Sequence, residues 1–166
     1  MSEPVGMEDF FLIQRFLTAE AGLLDRREYQ GWLGVLTEDV DYRVVSQLVR
    51  EAASTNADVA IIEENFSGLK SRLDQIGNPR LTHAENPVSF ARRFVTNIDA
   101  TQDTADSAFA VRSNILLYWS RPDDEGRVYS GARNDVLRRV GGELRLARRH
   151  VRLDHAMLRA SITVLF

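Results

Sequence analysis

The chain has 166 residues, 44% of them hydrophobic and 27% charged, with a net charge of −3 and no cysteine. That length suits one domain burying roughly 70% of its unfolded surface, and the missing thiols exclude disulfides, iron–sulfur ligation, thiolate zinc sites and a cysteine nucleophile. The near-neutral charge argues against a nucleic-acid binder. The longest apolar run, Ile115-Leu116-Leu117-Tyr118-Trp119, is too short to span a bilayer, and without a basic–apolar leader the expected home is cytoplasmic.

Residues 1–6 read as a flexible tail. A first helix is predicted from near Met7, with Glu8 and Asp9 in its opening turn, where the helix dipole favours acids. Phe10, Ile13, Leu17, Ala21 and Leu24 then step by three or four and form one apolar stripe. Asp25-x-x-Glu28 reads as a capping box opening a second helix, with Tyr29, Trp32, Leu33 and Leu36 as its apolar face. Val40, Tyr42 and Val44 alternate with Asp39, Asp41 and Arg43, the pattern of a half-buried strand. Residues 46–60 give no clear period, and Ser54-Thr55-Asn56 resembles a loop tip. A third helix fits Phe66, Leu69, Leu73 and Ile76 and stops at Gly77, with Pro79 beyond.

Residues 79–90 read as a connection, and after Arg92 the period changes to two. Long strands are predicted at about 93–102, 107–121, 127–140 and 143–153, with Gly141-Gly142 as a two-residue hairpin turn. The order is helix, helix, strand, helix, then a large antiparallel sheet. That is an α+β fold, a single domain over 1–166 with helices packed on one face of a curved sheet.

Charge is unevenly distributed. Residues 1–79 carry −7 and residues 80–166 carry +4, and Lys70 is the only lysine among 21 basic residues. Arginine suits desolvated, bidentate pairing and protein interfaces better than lysine does.

The chemistry-bearing residues do not converge on a site. His150 and His155 are five apart, so one strand would point them to opposite faces, and His83 lies in the connection. No histidine–carboxylate spacing suggests a metal. Asp39 and Asp41 share the strand face opposite Val40, Tyr42 and Val44, which points them away from any interior. Glu63-Glu64 and Asp123-Asp124-Glu125 read as a helix start and a solvated turn. Nucleophile elbows and phosphate-binding glycine loops are missing, and the arginines of 138–152 lack the interleaved aromatics that stack bases.

Several blocks, in order, resemble the small (beta) subunits of bacterial aromatic-ring-hydroxylating dioxygenases, the Rieske non-haem iron oxygenases. Near the start are Phe16-Leu-Thr-Ala-Glu20-Ala-Gly-Leu-Leu24-Asp25 and Trp32-Leu33-x-x-Leu36-Thr37-x-Asp39-Val40-x-Tyr42. Ala84-Glu85-Asn86-Pro87-x-Ser89 leads into Arg92-Arg93-x-Val95-Thr96-Asn97. Val111-Arg112-Ser113-Asn114-x-Leu116-Leu117-Tyr118 and Gly131-x-Arg133-x-Asp135-Val136-Leu137-Arg138 follow. Leu144-Arg145-Leu146-Ala147-Arg148-Arg149, Val151-x-Leu153-Asp154 and Val164-Leu165-Phe166 complete the set. Two departures are Phe90, where the family usually has Arg, and the poor match of 46–60.

The resemblance implies a cystatin-like cone, also called nuclear-transport-factor-2-like, with three helices on a strongly curved, mostly antiparallel sheet. It implies a structural, non-catalytic beta subunit that supports the catalytic alpha subunit and influences substrate range. It implies an assembly of three alpha plus three beta chains, with a homotrimer for the isolated chain. The Rieske iron–sulfur cluster and mononuclear iron would belong to the alpha subunit, which cis-dihydroxylates an arene in aromatic-compound catabolism. No cofactor, metal or catalytic residue is expected in this chain, and neither nucleic acid nor membrane is an expected partner. Arg92, Arg93, Asn97, Arg112 and Arg133 are the expected subunit-interface residues. The alternatives are a free-standing cone-fold isomerase or dehydratase, with Tyr42 and a histidine as its actors, or a small-molecule-binding module.

Overall fold

A computed structural model describes residues 2–46, 59–78, 87–103, 107–155 and 165–166. Helix α1 (Met7–Asp25) carries Glu8 and Asp9 in its first turn and buries Ile13, Leu17, Glu20, Ala21 and Leu24. The buried set is the expected apolar stripe less Phe10, which is half-buried, with one acid inside it. The helix ends in a Schellman-type turn: the Glu28 N–H donates to the Leu23 carbonyl (2.8 Å) and the Arg27 N–H to that of Leu24 (3.1 Å). Arg27 takes the left-handed position at φ 60°, usually held by glycine.

Helix α2 (Tyr29–Leu33) is shorter than expected. Leu36 belongs instead to strand β2 (Leu36–Ser46), because the Val35 carbonyl accepts the Leu146 N–H at 2.8 Å and starts the sheet there. Asp25 does not cap α2 either. Glu28 holds the N-cap position and makes no side-chain cap bond, while the Asp25 carboxylate turns to Arg93. Helix α3 (Phe66–Ile76) is capped by Asn65, whose side chain accepts the Gly68 N–H at 2.9 Å, and it buries Leu69, Leu73 and Ile76.

The remaining strands are β1 (Ser2–Pro4), β3 (Val59–Glu64), β4 (Phe90–Asp103), β5 (Phe109–Arg121), β6 (Asp124–Val140) and β7 (Glu143–Leu153). They form one seven-stranded sheet in the order β1-β4-β5-β6-β7-β2-β3. Every pair is antiparallel except β2 with β7. Two strands differ from expectation. Ser2–Pro4 is not a tail but an edge strand on Thr101–Asp103, too short to show a period in sequence. β3 lies at the other edge, beside the stretch without a clear pattern. Ser54-Thr55-Asn56, His83 and Ala84-Glu85-Asn86 lie outside the described residues.

Two backbone devices shape the sheet. Gly141 and Gly142 both have positive φ (59° and 87°), which fits the tight β6–β7 hairpin. On β4 the register slips between Thr96 and Asp99 opposite Asn114 and Arg112, a bulge with Asn97 at φ 52°. Alternation sorts β5 cleanly, while β4 and β7 each change parity once at a register shift. Phe109, Val111, Ile115, Leu117 and Trp119 of β5 point inward with Leu137, Leu146, Val151 and Leu153, and α1 packs its stripe against that interior.

Candidate functional site: the interior of the cone

In a fold of this shape, a pocket for chemistry would form where the inner face of the sheet meets α1. Here charged side chains fill that space. Arg149 of β7 is wholly buried and makes a two-pronged pair with Asp135 of β6, Nε–Oδ1 3.0 Å and Nη2–Oδ2 2.8 Å. Its Nη1 donates to Glu20 Oε1 of α1 at 2.7 Å and to the Phe166 main-chain oxygen at 3.2 Å. Arg133, also buried, donates to Asp135 Oδ2 at 3.0 Å and lies 3.9 Å from Glu20 Oε2. Trp32 Nε1 donates to Glu20 Oε1 at 2.6 Å. Tyr42 Oη donates to the Phe166 oxygen (2.7 Å) and accepts its N–H (2.8 Å).

Two guanidinium groups thus face two carboxylates, and the cluster is neutral as a whole. Burial alone would raise Glu20 and Asp135, but Arg149 and then Arg133 outweigh it and hold both carboxyls below their usual range. Burial would depress Arg149, yet Asp135 and Glu20 lift it well above the usual guanidinium value. Burial raises the Tyr42 phenol. Burial and then Arg149 lower Arg133, whereas the shifts of Glu20, Asp135, Arg149 and Tyr42 all run away from neutrality, the opposite of a poised general acid or base.

A second knot closes the mouth of the cone. Arg93 of β4 pairs with Asp25 at 2.6 Å, and its Nε and Nη2 donate to the Leu165 carbonyl at 2.9 and 2.5 Å. Leu165 and Phe166 are buried, with Tyr129 edge-on to Phe166 at 6.3 Å. Beside this knot lies a cavity of about 30 Å³, lined by Leu24, Asp25, Tyr29, Leu73, Phe90 and Arg93, room for about one water. A larger groove of about 210 Å³ lies on the outer face, lined by Arg43, Asn134, His150 and Arg152.

The expected interface residues divide by exposure. Arg92 and Arg112 are exposed on the outer face, Arg112 beside Asp99 at 2.5 Å, and Asn97, of the same parity as Arg93, is exposed at the β4 bulge. Arg93 and Arg133 are corrected: they point inward, are 8% and 1% exposed, and bond within this chain. Their positions share the parity of the inward apolar residues, a signal readable in sequence. The buried network of Glu20, Asp135 and Arg149 was missed for the same reason. Glu20 falls inside the α1 stripe, three after Leu17, and Arg149 stands between Ala147 and Val151.

Tyr42 is inside, as expected, but meets no histidine there among the described residues. His150 lies on the outer face with its Nε2 2.7 Å from Asp41, and Asp39 pairs with Arg138 at 2.7 Å, so both acids of that strand do point outward. His155 stands edge-on to Tyr129 at 5.3 Å. These placements count against the isomerase and dehydratase reading. Among the described residues no group of three His, Cys, Asp or Glu could hold a metal ion, and no helix is long and apolar enough to cross a membrane.

The family model described as ring hydroxylating beta subunit matches residues 19–160. The chain belongs to that family. The biphenyl 2,3-dioxygenase subunit beta of Rhodococcus jostii (strain RHA1) is 29% identical over 154 residues, covering 88% of this chain and 82% of that protein. The small oxygenase component of a 2,4-dinitrotoluene dioxygenase system from Burkholderia sp. (strain RASC) is 32% identical over 146 residues, covering 84% and 75%. A chain of naphthalene 1,2-dioxygenase, solved with indole in the active site, superposes with a TM-score of 0.81 at 30% identity, covering 92% of this chain and 83% of its own. The α+β cone and the subunit type read from the sequence blocks therefore hold. The match of family and shape makes this a beta subunit of an aromatic-ring dioxygenase, and the ion-filled interior agrees with a non-catalytic role.

Proposed function

We propose that this beta subunit supports the assembly of a catalytic alpha subunit, in a cytoplasmic complex of three alpha and three beta chains that cis-dihydroxylates an arene. The Rieske cluster and mononuclear iron belong to the alpha chain in this reading. The observation that carries it is the Arg149 network. The interior that could hold a substrate is occupied by a neutral, fully buried set of ion pairs joining α1, β6, β7 and Phe166. Such a network fixes the relation of helix to sheet and so presents a rigid outer surface. Arg92, Asn97 and Arg112, all exposed, are proposed to contact the alpha subunit.

Co-expression with the alpha subunit of the same enzyme tests this. A tag on the alpha chain should retain this chain through size exclusion at micromolar concentration. The alpha chain made alone should lose solubility or activity. Charge reversal at Arg92 and Arg112 should weaken retention about tenfold or more. Separate elution of the two wild-type chains would contradict the reading.

A further inference from the structure

The groove across β2, β7 and β6 carries chemistry that the two buried networks do not use. Four polar side chains line it: Arg43 of β2, His150 and Arg152 of β7, and Asn134 of β6. Strand register sets them in one array. Arg43 lies opposite His150 across the parallel β2–β7 pair, and Asn134 lies opposite His150 across β6–β7. These three form a row stepping about 4.8 Å from strand to strand, and Arg152 stands two residues along β7 on the same face, roughly 7 Å away. We propose that this groove binds a small oxyanion, a phosphate or a short dicarboxylate, through Arg43, Arg152 and Asn134. The site is built by this chain alone, so it does not rest on the alpha partnership.

Three observations point to an anion. First, Arg43 is a half-buried guanidinium without a counter-charge. Its side chain makes no hydrogen bond or ion pair among the described residues, and its Nε is buried without a partner. Glu63, opposite Arg43 on β3, is exposed and forms no ion pair with it. A partly desolvated cation is costly to leave unmatched, and an oxyanion accepting from its fork would match it. Second, the local charge is positive. Arg43 and Arg152 both face the groove, and Arg148 follows on the same face of β7, opposite Asp41. Asp41 itself is engaged by His150, while Asp39 and Asp99 are taken by Arg138 and Arg112. Third, the size and lining suit an ion. At about 210 Å³ the groove falls below the roughly 300–1,000 Å³ of pockets for drug-sized molecules, and its mainly polar walls give an arene little to pack on. A dianion seated there would offset the repulsion between Arg43 and Arg152. It would also tie β2 to β7 at the parallel pair of the sheet.

Titration calorimetry of the full-length chain with sodium phosphate, and separately with sodium succinate, tests this in a buffer of matched ionic strength. At least one of the two should bind with a dissociation constant of about 1 mM or tighter. That anion should also raise the melting temperature in proportion to its occupancy. Arg43→Gln should weaken binding at least tenfold and Arg152→Gln at least fivefold, while Asn134→Ala should weaken it about threefold. Arg43→Lys, which keeps the charge and loses the fork, should fall between wild type and Arg43→Gln. Lys70→Gln on α3 removes the same charge away from the groove and should leave affinity within twofold. Each variant should keep the wild-type far-ultraviolet spectrum and anion-free melt. Should Arg43→Gln disturb folding, Arg152→Gln and Arg43→Lys carry the test. No binding of either anion at about ten times that concentration overturns the proposal. So does binding that all the groove variants retain, or that Lys70→Gln weakens as much as Arg43→Gln does, since the effect would then be one of net charge. Retention by the alpha subunit is a separate readout, so loss of either result leaves the other standing.

Discussion

Arg149 shows how one buried side chain can hold a fold together and still be illegible as function. Its three nitrogens reach Asp135, Glu20 and Phe166 across two strands, a helix and the 165–166 segment. Replacing it with Met would leave two carboxylates buried without their main counter-charge. Arg149→Met should therefore lower unfolding free energy by about 3–5 kcal/mol in urea titrations. A buried pair can be neutral against an apolar isostere, so the large effect is expected from breaking it, not from its gross strength. Asn97 is a different case. Proposed to contact the alpha subunit, it also sits at φ 52° within the β4 bulge. Asn tolerates that backbone region and a β-branched residue does not. Asn97→Val should cost about 1–2 kcal/mol and Asn97→Gly only a few tenths, by the same titration.

At the scale of elements, β6 and β7 leave no room for a side chain at Gly131, where a Cβ would stand 2.4 Å from the Arg152 carbonyl oxygen. Backbone cannot swing aside as a side chain can. Gly131→Ala should lower stability by about 1–3 kcal/mol, and hydrogen exchange should rise first in β6 and β7. The elements were largely legible beforehand. α1 and α3 show period 3.6 with strong stops, and β5 and the middle of β6 keep strict alternation because one face is core and the other open, whereas β7 switches parity at Leu146-Ala147. What failed was short or edge structure. β1 has three residues, α2 is a single turn and a half, and β3 borders a stretch without alternation. The Asp25-x-x-Glu28 pattern also misled, since Arg93 offers Asp25 a charged partner that a helix cap cannot match.

For the whole molecule, the interior network predicts pH behaviour. Glu20 and Asp135 are depressed in the folded chain by Arg149 and Arg133 against the opposing effect of burial. Their contribution is fully present above ordinary carboxylate values, about pH 4, and is lost as pH falls towards their folded values, because the unfolded chain takes up protons first. Tyr42 is raised by burial, so its contribution is present below about pH 10 and is lost above that. Urea midpoints measured from pH 2.5 to 11 should show a plateau with both shoulders. Asp135→Asn should flatten the acid shoulder while lowering the plateau. An acid limb unchanged in that variant would show that other carboxylates govern it.

The sequence by itself determined the family, the α+β class and the parity of each long strand, because periodicity and ordered motif blocks are local properties of the chain. Strand parity likewise separates Arg93 and Arg133, inside, from Arg92 and Arg112, outside. Only the tertiary structure decided that Glu20, Trp32, Tyr42, Arg133, Asp135, Arg149 and Phe166 meet in one place. Their separations run to more than a hundred residues, and whether a charge is buried with a partner or exposed depends on which distant strand or helix lies opposite it. The same closure leaves Phe94, Leu116, Tyr118 and Val128 on the outside, an assignment that needs the whole sheet to be in place.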